Sequence, residues 1–140
     1  LQLHQITYDP NLAHSLVGMT EEGGFIAVSQ MLLQRPRPTA FVVTSIIHAL
    51  GALRAIRQHG LEPWRDISLI AHDDGLPYLA ADKFDPPLTT TTSIIRDAGY
   101  EVAKMLHTEI EHPDPFHQKT QKVLDVDLII RGSTRARRTI

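Results

Sequence analysis

Two short apolar runs, Thr39-Ala40-Phe41-Val42-Val43-Thr44 and Ile67-Ser68-Leu69-Ile70-Ala71, fall within about thirty residues of each other. A continuous apolar run of this length takes the form of a strand covered on both faces. Between them, Ile47 to Gln58 is apolar nearly all round a helical cylinder, with Arg54, Arg57 and Gln58 as polar exceptions and Gly60 as the stop. Strand, helix, strand at this spacing implies a right-handed parallel crossover, so the fold class is α/β on a parallel sheet. A helix with two apolar faces calls for two partners.

The flanking segments extend the pattern. Thr20 before Glu21 and Glu22 reads as a helix start, and Phe25, Val28, Met31 and Leu32 share a face, which predicts a helix from about Glu21 to Gln34, before Pro36 and Pro38. The prolines and glycine between His72 and Pro87 forbid one regular element there, with room for a short edge strand over Leu79 to Phe84. Leu88 to Thr92 reads as a strand, and Ser93 as the cap of a helix whose stripe is Ile95, Ala98, Val102, Leu106 and Ile110. In the last strand Leu124, Val126, Leu128 and Ile130 alternate with Asp125 and Asp127, before a tail carrying Arg135, Arg137 and Arg138.

Bulk properties exclude several classes. A chain of 140 residues with 42% hydrophobic content can bury one core, and a formal charge of −2 supplies no basic stripe for a phosphate backbone. The absence of cysteine removes disulfides and thiolate metal sites; it fits a reducing cytoplasm without excluding an oxidising compartment. No apolar run reaches the ~18 residues of a membrane span. A first residue of Leu1 rather than methionine leads to the expectation that an upstream stretch is missing. His107, His112 and His117 match neither one helical face nor a zinc pattern, and no metal or cofactor is expected.

In an open parallel sheet, ligands bind beyond the carboxyl ends of the strands. Ser45 closes the first strand, and Asp73 with Asp74 closes the second, so a hydroxyl and a carboxylate are expected to face one crevice. A carboxylate there can accept hydrogen bonds from two neighbouring hydroxyls of a sugar. The alternative is that the aspartates cap the turn into Gly75-Leu76-Pro77; spacing leaves the two readings open. No serine elbow, phosphate loop or acid pair points to an enzyme. A Ser45, His72 and Asp73 triad fails because neighbours on one strand point to different sides.

Seven segments then align with a known pattern: Pro38-Thr39-Ala40, Ala49-Leu50-Gly51-Ala52-Leu53-Arg54-Ala55, Gly60-Leu61, Asp66-Ile67-Ser68, Asp73-Asp74, Pro86-Pro87-Leu88-Thr89-Thr90 and Arg131-Gly132-Ser133-Thr134. In this order the chain resembles the C-terminal part of the effector-binding domain of LacI-family transcriptional regulators. The resemblance implies an incomplete type I periplasmic-binding-protein-like fold. Residues 1–92 would belong mainly to the C-terminal lobe, 93–125 would cross toward a missing N-terminal lobe, and 126–140 would form a returning strand and tail. It implies a cytoplasmic homodimer that binds a small effector, a sugar, between lobes and reaches operator DNA only through a helix-turn-helix outside this chain.

By position, Asp73 would be the ligand-binding carboxylate, Ser45 would replace a family asparagine or aspartate, and Met19 would replace an aromatic lining the sugar. His72 joins them because Ala71-His72 stands in place of glycine and an aromatic. Ile46, where the family usually carries aspartate, marks an unusual ligand. The dimer would form through the crossover helix and the segment after Asp74, with His48, Ala52, Leu53, Ile56 and Leu79 at the interface; burial within one subunit is the alternative. The helix from Ile95 to Ile110 would pack on an absent sheet, so the 140 residues alone are expected to be unstable, oligomeric or partly unseen. A transport-type sugar-binding protein of the same fold is the rival, and the second apolar face of the crossover helix argues for the dimer instead.

Overall fold

The computed structural model describes residues 2–15, 18–73, 75–93, 95–113 and 121–136. Its elements are α1 (Glu21–Leu32), β1 (Ala40–Val43), α2 (Ile46–Gln58), β2 (Ser68–Asp73), β3 (Thr89–Thr92), α3 (Ile95–Glu111) and β4 (Asp127–Ile129). The four strands form one sheet in the order β1-β2-β3-β4; β1, β2 and β3 run parallel, and β4 pairs antiparallel with β3. The α/β class and the crossover are as the apolar runs require.

Local chemistry sets the helix boundaries. Thr20 takes extended backbone and its Oγ1 accepts the Gly23 N–H at 3.0 Å, which opens α1. α1 ends at Leu32 rather than near Gln34, because Leu33 and Gln34 turn their N–H groups to Gln30 and Met31 and tighten the last turn. α2 begins one residue early, at Ile46, because Ser45 is its cap. At its far end Gly60 has φ +70, the left-handed conformation that glycine takes without a Cβ penalty.

α2 is the centre of the molecule. Ile46, Ala49, Ala52, Ala55 and Ile56 are wholly buried, against Phe41, Leu69 and Ala71 of the sheet on one side and α1 on the other. The second partner of the two-faced helix is therefore α1 of the same chain. A Cβ on Gly24 would collide with the His48 carbonyl, and one on Gly51 with the Glu21 carbonyl. Beside this contact Arg54 lies 4.2 Å over the Phe25 ring and pairs with Glu21 and Glu22.

Three expectations need correction. Leu79 to Phe84 forms no edge strand: Leu79 N–H turns back to Leu76 O, and Ala81–Lys83 is a short 3-10 helix held by Leu88 N–H on Ala81 O. The last strand covers only Asp127–Ile129 and is exposed throughout, so its alternation separates no buried face. β2 runs through Asp73 rather than ending at Ala71, which puts His72 and Asp73 inside the ladder.

α3 buries none of its residues and makes no extensive contact with any other element; Tyr100, Val102, Leu106 and Ile110 are exposed. No helix among the described residues is long and apolar enough to cross a membrane.

Backbone sits on both sides of the glycine contact and cannot yield as a side chain can. Gly51→Ala should therefore destabilise the fold by about 3 kcal/mol in urea titration, the upper end of the usual overpacking cost. Gly99→Ala, on exposed α3 with open space around it, should leave the midpoint unchanged or raise it by about 0.5–1 kcal/mol.

Candidate functional site

The parallel strands deliver their carboxyl ends to one edge of the lobe, and alternation decides what each residue offers there. Phe41 pairs with Leu69 and Val43 with Ala71, and both pairs face α2. Asp73 continues this face, and His72 lies on the other. The two neighbours cannot share one ligand surface on a single side of the sheet.

Asp73 is half-buried, and its Oδ1 accepts the Gly75 N–H at 3.0 Å. The turn-capping reading is thus realised, with Gly75 at φ +66. One carboxylate oxygen engaged in this way leaves Asp73 further acceptor capacity. Asp74 lies outside the described residues.

His72 is held on the opposite face. Its Nδ1 lies 3.0 Å from Thr91 Oγ1 and its Nε2 3.5 Å from Ser93 Oγ. The third group behind this imidazole is a hydroxyl rather than a carboxylate, so the histidine lacks the orienting anion of a hydrolytic triad.

Ser45 is fully buried, with Oγ accepting the Ile47 N–H at 3.2 Å as the N-cap of α2. The expectation that it opens onto a crevice beside Asp73 is corrected: a hydroxyl fixed under the first turn of a helix presents nothing to solvent. Met19 is 62% exposed, in the turn before the Thr20 cap, where Gly18 O meets His48 Nε2 at 3.2 Å.

Sequence reasoning missed the hollow nearest the strand ends, about 220 Å³, lined by Thr92, Ser93, Asp97, Leu124, Asp125 and Asp127. Thr92 pairs with both Asp73 and Asp127, and Ser93 reaches His72, so the hollow adjoins both expected residues. The signal was the hydroxyl run Thr89 to Ser93 facing the Asp125 and Asp127 alternation. Hydroxyls and carboxylates in this density suit a neutral polyhydroxylated ligand, whose hydroxyls can donate to every carboxylate.

Beneath this edge the Arg131-Gly132-Ser133-Thr134 segment joins β2 to β3. Ser133 is wholly buried; its Oγ donates to Leu69 O at 2.6 Å and accepts from Thr89 N–H at 2.7 Å. Its main chain takes the Leu69 N–H and gives its own N–H to Pro87 O. Thr89 Oγ1 accepts Arg131 N–H at 2.9 Å, and the Arg131 guanidinium donates to Leu88 O and Thr90 Oγ1. Ser133 in this way supplies pairing where the ladder between β2 and β3 has not yet begun.

The expected interface residues are mostly interior. His48 is 5% exposed, Leu53 4%, and Ala52 and Ile56 not at all, because α1 and the sheet cover them. Leu79 is half-buried and opens onto a hollow of about 490 Å³ with Leu50, Leu53, Arg57, Tyr78 and Phe84. His107 pairs with Glu111 at 3.7 Å, His112 is exposed, and His117 lies outside the described residues. Among the described residues no group of three His, Cys, Asp or Glu could hold a metal ion.

Comparison with known proteins gives a consistent picture. The model of the periplasmic binding protein-like domain matches residues 3–134. The transcriptional regulator AglR of Rhizobium meliloti is 43% identical over 127 residues, 89% of this chain and 35% of that protein. The repressor CytR of Escherichia coli is 35% identical, over 84% of this chain and 33% of its own length. The lac repressor dimer bound to operator and the anti-inducer ONPF superposes with a TM-score of 0.69 at 32% identity, covering 84% of this chain and 39% of that one. The regulator CelR in complex with cellobiose superposes with a TM-score of 0.75 at 26% identity, covering 94% and 38%. The chain spans about a third of the length of the curated relatives it matches.

The buried Ser133 hydroxyl satisfies one acceptor and one donor of the main chain. Ser133→Ala should cost about 2–4 kcal/mol, the desolvation of two orphaned groups. The Thr89 amide should lose hydrogen-exchange protection before those of β1 do.

Proposed function

The chain belongs to the periplasmic binding protein-like family, among the LacI-type transcriptional regulators, and from that premise we propose that it is the effector-sensing and dimerising part of such a regulator. On this reading a sugar binds at the carboxyl ends of β2 and β3, and operator DNA is reached through a part of the protein outside these residues. The observation that carries it is the hollow lined by Thr92, Ser93, Asp97, Asp125 and Asp127, together with the pairing of Thr92 with Asp73 on the neighbouring strand. The likeness to a regulator in complex with cellobiose supports a saccharide as the ligand.

On this reading residues 1–92 belong mainly to the C-terminal lobe, 93–125 would cross toward an N-terminal lobe outside these residues, and 126–140 would supply the returning strand and tail. Support comes from α3, which buries nothing against the lobe, and from the antiparallel pairing of β3 with β4. Work in the cytoplasm follows from binding DNA. AglR and CytR are both transcriptional regulators, which favours this reading over a transport protein.

The dimer face shifts from the buried residues of α2 to the hollow of Leu50, Leu53, Arg57, Tyr78 and Leu79, where Tyr78 is 79% exposed. An apolar and aromatic depression rimmed by Arg57 and Lys83 has the makings of an interface core. Tyr78→Asp should convert a dimer to a monomer in sedimentation while the circular dichroism spectrum stays the same. Leu53→Asp would be ambiguous, because Leu53 also belongs to the core.

Thermal-shift screening against mono- and disaccharides, cellobiose included, tests the effector. A binder at a hundred times its Kd adds about 2.7 kcal/mol of stability. Asp73→Asn keeps an acceptor for the Gly75 N–H but removes the charge, and should weaken that binder about tenfold or more with little change in the unliganded melting point. Undiminished binding by the variant would refute the role of Asp73, and a screen in which no saccharide stabilises the protein would refute the sugar reading.

A further inference from the structure

His72 is half-buried on the face of β2 away from α2, and hydroxyls meet both of its ring nitrogens. Nδ1 lies 3.0 Å from Thr91 Oγ1, and Nε2 lies 3.5 Å from the Oγ of Ser93, a residue that also lines the hollow at the strand ends. An imidazole is the side chain whose ordinary charge change falls between about pH 5 and 8. A hydroxyl can donate or accept, so both partners suit either charge state of the ring. The charged groups around the hollow are the carboxylates of Asp97 on α3, Asp125, and Asp127 on β4, while Asp73 follows His72 on the opposite face. β1 carries no charge, and the Arg131 guanidinium is committed to Leu88 O and Thr90 Oγ1. The hollow is therefore short of donors. Ionised carboxylates only accept, so among the described side chains that line it Thr92 and Ser93 alone can donate. A saccharide brings ring and glycosidic oxygens that only accept.

We infer that His72 is a positioning residue for the effector, and that its charge state decides, through Ser93, whether the hollow gives or takes a hydrogen bond. The inference rests on the proposal that a saccharide binds in this hollow. In the neutral ring Nδ1–H donates to Thr91 Oγ1, the shorter contact, and the Nε2 lone pair accepts the Ser93 hydroxyl. Ser93 then turns only lone pairs to the ligand. In the charged ring both nitrogens donate, so Ser93 Oγ accepts from Nε2–H and directs its own O–H to the saccharide. The ligand favours the charged ring, and by reciprocity the proton favours the ligand. Affinity rises as pH falls through the imidazole range.

Calorimetry on the protein as its gene encodes it supplies the test, with cellobiose as the probe or, where cellobiose does not stabilise the protein, the mono- or disaccharide that does. From about pH 8 to about pH 5.5 the Kd should fall about three- to tenfold, the worth of one hydrogen bond. Buffers of different ionisation enthalpy should show protons taken up on binding. His72→Gln keeps hydrogen-bonding groups that do not titrate and should give a level profile without proton uptake. Ser93→Ala should level it too, because the ring then has no hydroxyl to act through, and it serves where the His72 variant fails to fold. A level profile in the unaltered protein, a Kd that rises toward low pH, or a slope that persists in either variant overturns the inference. A screen in which no saccharide binds sinks the sugar reading and the inference with it, whereas a binder indifferent to pH sinks the inference alone.

Discussion

Two glycines allow α1 and α2 to touch through their backbones, and the rest of the lobe depends on that closeness. With Gly24 against the His48 carbonyl and Gly51 against the Glu21 carbonyl, the helices approach nearer than any side chain would permit. α2 is thereby pressed between α1 and the sheet, and Ile46, Ala52 and Ile56 leave water altogether. A chain of this size has little surplus core. A helix buried on two sides anchors β1 and β2 more firmly than a surface helix could, and the carboxyl ends of those strands are held by the same contact.

The candidate site inherits its geometry from a second, polar device. Strands β2 and β3 are short, and their ladder begins only at Ile70 and Thr89. Ser133 binds both strands just before that point, and Arg131 ties the returning chain to Leu88 and Thr90. Hydrogen bonds buried in low dielectric are stronger than solvated ones and costly to leave half-made, so this stitch fixes register as well as adding stability. Thr91, Thr92 and Ser93 then emerge at defined heights beside His72 and Asp73. The order is rigid below and open above: the site edge and α3 carry the exposed groups, and the clamp lies a few residues beneath.

Much of this fold was legible in local pattern. Thr20, the apolar runs and Gly60 each act through neighbours within four residues, and the elements they predict are present to within a residue or two. Ser133 acts across 64 residues and Arg131 across more than forty, so no window could register them. The second face of α2 shows the same limit from another side. Periodicity reports that a face is apolar, while the identity of its partner is a tertiary fact; α1, rather than a second subunit, occupies it.

Ser45 shows why a site is harder to read than a fold. A serine after a strand and before a helix satisfies the rule for a cap and the rule for a ligand group at a strand end, because the same vacant N–H groups attract either a hydroxyl or an anion. Here its oxygen turns inward to Ile47, and no acidic residue follows in the first turn of α2, where Ile46 and Ile47 stand. The polar groups left open at this edge lie beside β3 instead, where Thr92 and Ser93 line a hollow with three aspartates and Ser93 also meets His72. The hydrogen-bonding capacity of the hollow thus sits at the end of β3 rather than at that of β1.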